Sequence, residues 1–386
     1  MPALTDPPVP APWLDVDALL ANPGTRIVVC CGSGGVGKTT TAAALALRAA
    51  EVHGRRTVVL TIDPARRLAQ ALGLSELDNT PRPVKGVRTE SGGALLAMML
   101  DMKRTFDDVV LAHTDPRRAE EIFANPFYQA MSSTFSGTQE YMAMEKLGQL
   151  HATGEWDLIV VDTPPSRSAL DFLDAPQRLS RFLDGRMLRI LMAPARAGGR
   201  SMFSLVTASF GAFARVVQKI LGAALLSDLS GFVGALDSTF GGFRERAEQT
   251  YRVLQAPETA FLVVAAPEPD AIREAGFFAG RLAADRMPLH GLVLNRVHRV
   301  QAARLDAEQS LAAAVALERT GEHPGVPEAL RHHAELVAQV AREAAVTAQF
   351  TREHPRVPMA LVAAQPADVH DIDGLREIGT AVTAVG

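Results

Sequence analysis

The stretch RIVVCCGSGGVGKTTTAAALALRAA, residues 26–50, decides the fold of this chain. It opens with an apolar, β-branched run from Arg26 to Cys31, which is typical of a buried parallel strand. A glycine-rich turn follows, and then a segment of alanines and leucines, which are strong helix formers. From Gly32 to Thr39 the turn matches the pattern G-x-x-x-x-G-K-[ST]. The sequence therefore predicts a strand, a phosphate-binding loop and a helix, in that order.

Each part of this loop has a physical task in binding a polyphosphate. Glycines let backbone N–H groups curl round the anion, and the helix points the positive end of its dipole at it. Lys38 would neutralise the β- and γ-phosphates, and the Thr39 hydroxyl would ligate Mg²⁺ directly. An ordinary glycine-rich turn is the alternative, but strand, loop and helix all lie where nucleotide binding needs them. We expect nucleotide contacts from the consecutive residues Gly34, Gly35, Val36, Gly37, Lys38, Thr39 and Thr40.

The overall charge argues against nucleic acid as a partner, because the formal net charge is -4. The N-terminus lacks the basic and apolar regions of a secretory signal. Long apolar stretches between about residues 187 and 240 are interrupted by the charges of Arg215, Lys219, Asp228 and Asp237. None of them reaches the roughly 18 apolar residues that a spanning helix needs. We therefore expect a cytoplasmic protein without a transmembrane segment.

The cysteines exclude one class of metal site. The chain has two, Cys30 and Cys31, which are neighbours in the first strand and point to opposite faces. No C-x-x-C motif occurs in the sequence, so we expect no zinc. The two cysteines are best interpreted as small buried hydrophobic residues.

Alternation of strands and helical stretches predicts an α/β fold, a parallel doubly wound P-loop NTPase sheet flanked by helices. After the first strand, the predicted strands are TVVLTID ending at Asp63, LLAMMLD at 95–101, EWDLIVVD ending at Asp162, TAFLVVA at 259–265, HGLVLN at 290–295 and VPMALVA at 357–363.

The domain prediction is one P-loop domain over residues 13–386, with helical insertions at about 102–151 and 186–255. Residues 1–12 are predicted to be a disordered leader, because four of the first ten are proline.

Two aspartates and one asparagine follow apolar strands, where ligands bind in open α/β sheets. Asp162 is suited to support Mg²⁺ at the γ-phosphate, and Asp63 to hold or polarise the attacking water. Helix or turn capping is the alternative for both. The amide of Asn295 could read the edge of adenine or simply belong to a turn, and spacing alone leaves both open.

Histidines and charged pairs in the last third of the chain are interpreted as solvated. His298 and the pair His332–His333 could suggest a metal, but no second ligand cluster accompanies them, so we expect solvated helix histidines. The Glu and Arg pairs between residues 301 and 350 indicate a solvated helical face.

Three segments carry a resemblance to a known family: GSGGVGKTTTAAALAL, TIDPARRLAQALG and VVDTPPSRSALDFLDAP. The chain resembles the anion-transporting ATPase family, which has a deviant phosphate loop. This family contains the arsenical-pump ATPase and the ATPase that targets tail-anchored membrane proteins. The resemblance extends into PETAFLVVAAPEP, GLVLNRV and VPMALVAAQPADVHDIDGLREIG, so it covers most of the chain.

This resemblance implies ATP hydrolysis with Mg²⁺ at the interface of a dimer. Asp63 would lie in the first switch segment and activate water. Asp162 would lie in the second switch segment and contact Mg²⁺ through a water molecule. With Lys38, these are the expected catalytic residues, and Asn295 would recognise adenine. The loop from about Ala364 to His370 would cover the base.

The phosphate loop departs from the family at Ser33. The family loop reads G-K-G-G-V-G-K-T, and its first lysine reaches the partner's phosphates. A cation supplied in trans can be worth about 10³–10⁵ in the rate of phosphoryl transfer, and serine cannot supply it. Either Arg66, Arg67 or Arg167 substitutes, or a paralogous ATPase subunit carries the lysine, or the chain hydrolyses ATP poorly. A homodimer and a heteromer therefore both stay open. The metalloid-sensing cysteines of the arsenical pump are also missing, which disfavours metalloid-stimulated export.

The helical segment 186–245 is rich in Met, Phe and small residues. Such helices form either an adaptable groove for a hydrophobic helical protein client or ordinary core, and periodicity does not separate the two. We predict Mg²⁺-dependent ATP hydrolysis that drives a nucleotide-gated dimer rearrangement, with delivery of such a client as its use. The alternatives are a catalytically weak ATP-binding subunit and a partitioning or positioning ATPase, which the acidic charge disfavours.

Overall fold

The computed structural model describes residues 11–63, 67–74, 77–125, 128–129, 138–164, 245–302, 304–321 and 323–384. These residues fall into two compact units. The first takes its residues from the stretches 1–99, 153–170 and 253–386, and the second from 100–152 and 171–252.

The first unit is built on one sheet. Among the described residues, eight strands pair in the order β3-β4-β2-β5-β1-β6-β7-β8, and every pair is parallel except β3 with β4. The predicted parallel α/β sheet is thus confirmed, while the short antiparallel edge strand was not anticipated. The strands are β1 Ile27–Cys31, β2 Arg56–Thr61, β3 Arg82–Pro83, β4 Ala94–Met99, β5 Leu158–Asp162, β6 Thr259–Ala265, β7 Leu289–Val297 and β8 Met359–Ala363.

The helices of this unit cover the sheet with apolar faces. The helix after the phosphate loop buries ten of its side chains, mostly alanines and leucines, because small residues let it approach the strands closely. The helices are α1 Val16–Ala21, α2 Lys38–Glu51, α3 Arg67–Ala71, α8 Pro269–Ala284, α9 Ala307–Thr320, α10 Val326–Glu353 and α11 Ile372–Ala381.

The described part of the second unit contains helices and no strand. Its helices include α4 Met102–His113, α5 Pro116–Ala124 and α6 Thr138–Thr153. A further helix, α7, covers residues 245–255. Asp101 and Asp115 cap α4 and α5 by accepting backbone N–H bonds. Buried Glu145 of α6 pairs with Arg246 at 3.0 Å. The single-domain assignment with insertions at 102–151 and 186–255 stays a prediction, and residues 165–244 lie outside the described residues.

The described chain begins close to the sheet edge. The Met359 N–H donates to the Pro12 carbonyl at 2.8 Å, and Trp13 forms a bridge with Met359. Most of the predicted leader, residues 1–10, lies outside the described residues. In the part of the chain that is described, no helix has the length and apolar character to cross a membrane.

Candidate functional site

The phosphate loop lies between β1 and α2, at the carboxyl end of the central strand. Gly32 has a φ of 147°, and a Cβ there would lie 2.0 Å from the Val264 carbonyl oxygen of β6. Only glycine therefore lets the chain turn away from the sheet at this point. Gly37 precedes α2 at a φ of 93°, and no side chain caps the helix. The first N–H groups of α2 thus receive no side-chain cap, as an anion-binding helix end requires.

Lys38 folds over the loop that contains it. Its Nζ donates to the Ser33 carbonyl oxygen at 2.7 Å, while the buried Ser33 Oγ has no hydrogen-bond partner among the residues that the structure describes. Burial lowers the pKa of Lys38, and the charges of Asp162 and Asp63 oppose that shift. A phosphate at the loop would compete with the Ser33 carbonyl for the ammonium group.

Asp162 is the last residue of β5 and is fully buried. Its Oδ2 accepts hydrogen bonds from the hydroxyls of Thr39 at 2.8 Å and Thr61 at 2.9 Å. Its Oδ1 is buried, and no described residue forms a hydrogen bond with it. Burial raises the pKa of the carboxyl to about 6, although the two hydroxyl bonds and the charge of Lys38 oppose the rise.

These groups fit a magnesium ion bound together with a nucleotide. Mg²⁺ prefers oxygen ligands and is commonly held by one or two protein groups, with waters and phosphates completing its shell. The Thr39 hydroxyl and the unpartnered Asp162 Oδ1 offer such oxygens at the loop. The structure therefore brings together the residues predicted for this role. The specific assignment, direct for Thr39 and through water for Asp162, stays a prediction.

Asp63 lies near the lysine of the loop, two residues beyond the end of β2. The strand ends at Thr61 rather than at Asp63 as predicted, and the Asp63 N–H donates to the Thr61 hydroxyl at 3.3 Å. The positive charge of Arg67 also acts on Lys38. It lowers the pKa of that lysine, with a smaller effect than burial or the nearby acidic groups. Arg66 and Arg167 lie outside the described residues.

Asn295 contacts the phosphate loop directly. Its Nδ2 donates to the Val36 carbonyl at 2.9 Å, and its Oδ1 accepts from the Arg296 N–H at 3.0 Å. The residue lies inside β7, which runs on to Val297 instead of ending at Asn295 as predicted. Adenine recognition by this amide stays a prediction.

Three partners around the site were missed or misjudged from the sequence. Thr61 binds Asp162, and its signal was a polar residue near the end of an apolar strand. The predicted solvated face is wrong at Glu343, which is 9% exposed and bonds His298 at 2.6 Å. His298 is accordingly a paired residue after a strand rather than a solvated helix histidine, whereas His332 is well exposed.

A family model described as anion-transporting ATPase matches residues 25–313. The chain belongs to the anion-transporting ATPase family. This membership confirms the resemblance carried by the phosphate loop and by the two segments that contain Asp-Pro-Ala and Asp-Thr-Pro-Pro.

Several curated relatives are similar to this family member. A putative arsenical pump-driving ATPase of Prosthecochloris vibrioformis is 31% identical over 156 residues, 40% of this chain and 36% of that protein. ATPase GET3 of Malassezia globosa is 28% identical over 165 residues, 43% and 46% of the two chains. ATPase GET3C of Arabidopsis thaliana is 26% identical over 283 residues, 69% of this chain and 65% of that protein. The match thus spans between 36% and 65% of the length of these relatives.

Gly37→Ala should disturb the loop more than Gly35→Ala, although both glycines have left-handed backbone. A Cβ at Gly37 would lie 2.3 Å from Asn295 Nδ2, whereas one at Gly35 would have no described residue within 4 Å. We expect Gly35→Ala to lower the free energy of unfolding by about 1–2 kcal/mol through backbone strain. Gly37→Ala should cost about 1 kcal/mol more, since it also breaks the Asn295–Val36 hydrogen bond. Guanidinium unfolding measures the free energy of unfolding of both variants. Equal losses of stability would contradict the close approach of Asn295 to Gly37.

The raised pKa of Asp162 predicts a pH-dependent stability. Because the folded value of about 6 exceeds the reference value of 3.8, the folded protein holds its proton longer as the pH rises. Without nucleotide, the unfolding free energy should fall by up to about 3 kcal/mol between about pH 4 and pH 6 and then level off.

Asp162→Asn should lack this fall in a series of unfolding curves measured between about pH 4 and pH 8. The matched control is Asp157→Asn, a half-exposed aspartate just before the other end of β5, which should keep the fall. Parallel pH profiles for the wild type and Asp162→Asn would show that the carboxyl is not the titrating group.

Proposed function

We propose that this chain is a magnesium-dependent ATPase whose hydrolysis drives a nucleotide-gated rearrangement of a dimer. The observation that carries the proposal is the buried carboxylate of Asp162. One of its oxygens has no partner in the described part of the chain, and the other accepts a bond from the Thr39 hydroxyl, beside the lysine of a phosphate loop. Family membership supports a nucleoside triphosphate as the ligand of this loop.

Each residue of the site has a defined task in this proposal. The loop N–H groups from Gly34 to Thr40 bind the phosphates, and Lys38 moves from the Ser33 carbonyl to the β- and γ-phosphates. Thr39 and Asp162 hold Mg²⁺, which when bound neutralises charge that develops on the transferred phosphoryl group. Asp63 orients the attacking water from its place near Lys38.

Dimer formation and the client extend the proposal beyond the site. The name of one relative, a putative arsenical pump-driving ATPase, supports an ATPase that works on another component. A hydrophobic helical client bound at residues 186–245 and a cytoplasmic location rest on the sequence alone, since residues 165–244 lie outside the described residues.

Ser33 supports a second candidate, an ATP-binding subunit that turns over little by itself. Ser33 has a hydroxyl at the position where the family loop has its first lysine. Its backbone carbonyl already accepts a hydrogen bond from the Lys38 ammonium group. The charge of Arg67 near Lys38 supports the opposite case, in which the chain supplies its own second cation. The two candidates differ in whether a lysine-bearing paralogous subunit is needed for turnover.

ATP turnover by the purified full chain, measured over a range of protein concentrations with Mg²⁺, tests the proposal. We expect turnover per chain to rise with concentration as the dimer assembles. Lys38→Ala should lower it by about 10²-fold or more, because the phosphate charge loses its main cation. The matched control Lys103→Ala removes an exposed lysine that pairs with Asp107, and should leave turnover unchanged.

Tight ATP binding with almost no turnover at any concentration would reject the homodimeric ATPase and favour the weak subunit. In that case Ser33→Lys should restore turnover that again depends on concentration. Failure of the wild type to bind ATP at all would reject both candidates.

A further inference from the structure

Strand β7 is irregular where it passes the phosphate loop. Leu294 pairs with Leu361 and Val297 with Ala363, so three steps along β7 match two along β8. The extra residue forms a β-bulge at Asn295–Arg296, and Arg296 has a φ of 62°. This left-handed conformation is strained for a residue with a side chain and persists only where its surroundings hold it. Bulges beside functional sites commonly re-aim a side chain.

The bulge aims Asn295 at the phosphate loop. The Asn295 side chain is 9% exposed and donates to the carbonyl of Val36 at 2.9 Å. Gly37 is the next residue of the loop, and only its missing Cβ leaves room for the amide. The backbone of the loop just before α2 is therefore tied to β7 through one side chain.

A carboxylate on α10 holds the other end of the bulge. Glu343 Oε2 accepts the backbone N–H of His298 at 2.9 Å, and its Oε1 accepts the His298 Nδ1–H at 2.6 Å. Gln339, one turn earlier on α10, donates to the same Oε1 at 3.0 Å. The acid is 9% exposed, and a carboxylate this buried is retained at low cost only when hydrogen bonds surround it.

We propose that Glu343 is a positioning residue for the nucleotide site. Its hydrogen bonds to the backbone N–H and the ring of His298 hold the strained bulge in place. The bulge in turn holds Asn295 in contact with the phosphate loop. Glu343 acts through Asn295 and is not itself a ligand of the nucleotide. The consequence for nucleotide binding rests on the proposed function, whereas the coupling between Glu343 and the loop is a property of the nucleotide-free protein.

The coupling predicts a change in hydrogen exchange at the loop without any nucleotide. In the full chain, Glu343→Gln leaves one oxygen where the carboxylate had two, so the bulge loosens and Asn295 releases Val36. We expect backbone amides of residues 32–40 to exchange about tenfold faster than in the wild type, as measured by mass spectrometry. Asn295→Ala should give a similar increase, because it removes the same contact directly.

The double variant separates positioning from general destabilisation. If Glu343 acts through Asn295, then Glu343→Gln added to Asn295→Ala should speed loop exchange no further. The matched control is Glu335→Gln, the same substitution at an 81% exposed carboxylate of α10, and it should exchange like the wild type. Independent, additive effects of the two changes, or a Glu343→Gln variant that exchanges like Glu335→Gln, would overturn the proposal. Thermal unfolding of every variant confirms that the comparison is made between folded proteins.

Titration with Mg²⁺-ATP then tests the functional consequence. Glu343→Gln should raise the KM or the dissociation constant for ATP about fivefold to tenfold and leave kcat within about twofold, since the chemical groups of the loop are untouched. A loss in kcat at unchanged KM would contradict a positioning role through the loop. Should the wild type bind no ATP while the exchange results hold, the proposed function fails and the coupling of Glu343 to the loop stands.

Discussion

The structure depends on one buried carboxylate at the point where three strands end. Asp162 pairs in register with Cys30 of β1 and Thr61 of β2. Its Oδ2 binds the hydroxyls of Thr39 and Thr61, so one oxygen joins the start of α2 to the end of β2. The Ile62 N–H adds a bond to the Asp162 carbonyl. Removing a charge from water is costly and raises the pKa of the carboxyl, whereas the two hydroxyl bonds and the charge of Lys38 favour its charged form.

The phosphate loop is built around the same point and is supported from the other side of β1. Gly32 turns against β6, and Asn295 of β7 holds Val36. The loop is therefore fixed by strands on both flanks of the central strand, while its lysine, within the described residues, is hydrogen-bonded to a carbonyl of the loop itself. A rigid backbone with an exchangeable cation is suited to capturing an anion, because binding needs little rearrangement beyond the lysine.

Local pattern predicted most of the sheet and the loop, and long-range contacts explain what it could not predict. The apolar runs predicted seven of the eight described strands, all except β3, close to their observed bounds, because buried parallel strands are continuous hydrophobic segments. The two-residue β3 has too little pattern to be recognised. The bond from Glu343 to His298 joins residues 45 positions apart, and a polar residue on an amphipathic helix looks solvated until its partner is known. The bulge at Asn295 is likewise set by pairing with β8 and not by local composition.

Calorimetric titration of the full chain with ATP, with and without Mg²⁺, tests the central claim most directly. If the Asp162 carboxylate and the Thr39 hydroxyl form a magnesium site at the phosphate loop, Mg²⁺ should tighten ATP binding in the wild type, and this gain should be lost in Asp162→Asn. An equal gain from Mg²⁺ in both proteins, or no gain in the wild type, would contradict the account.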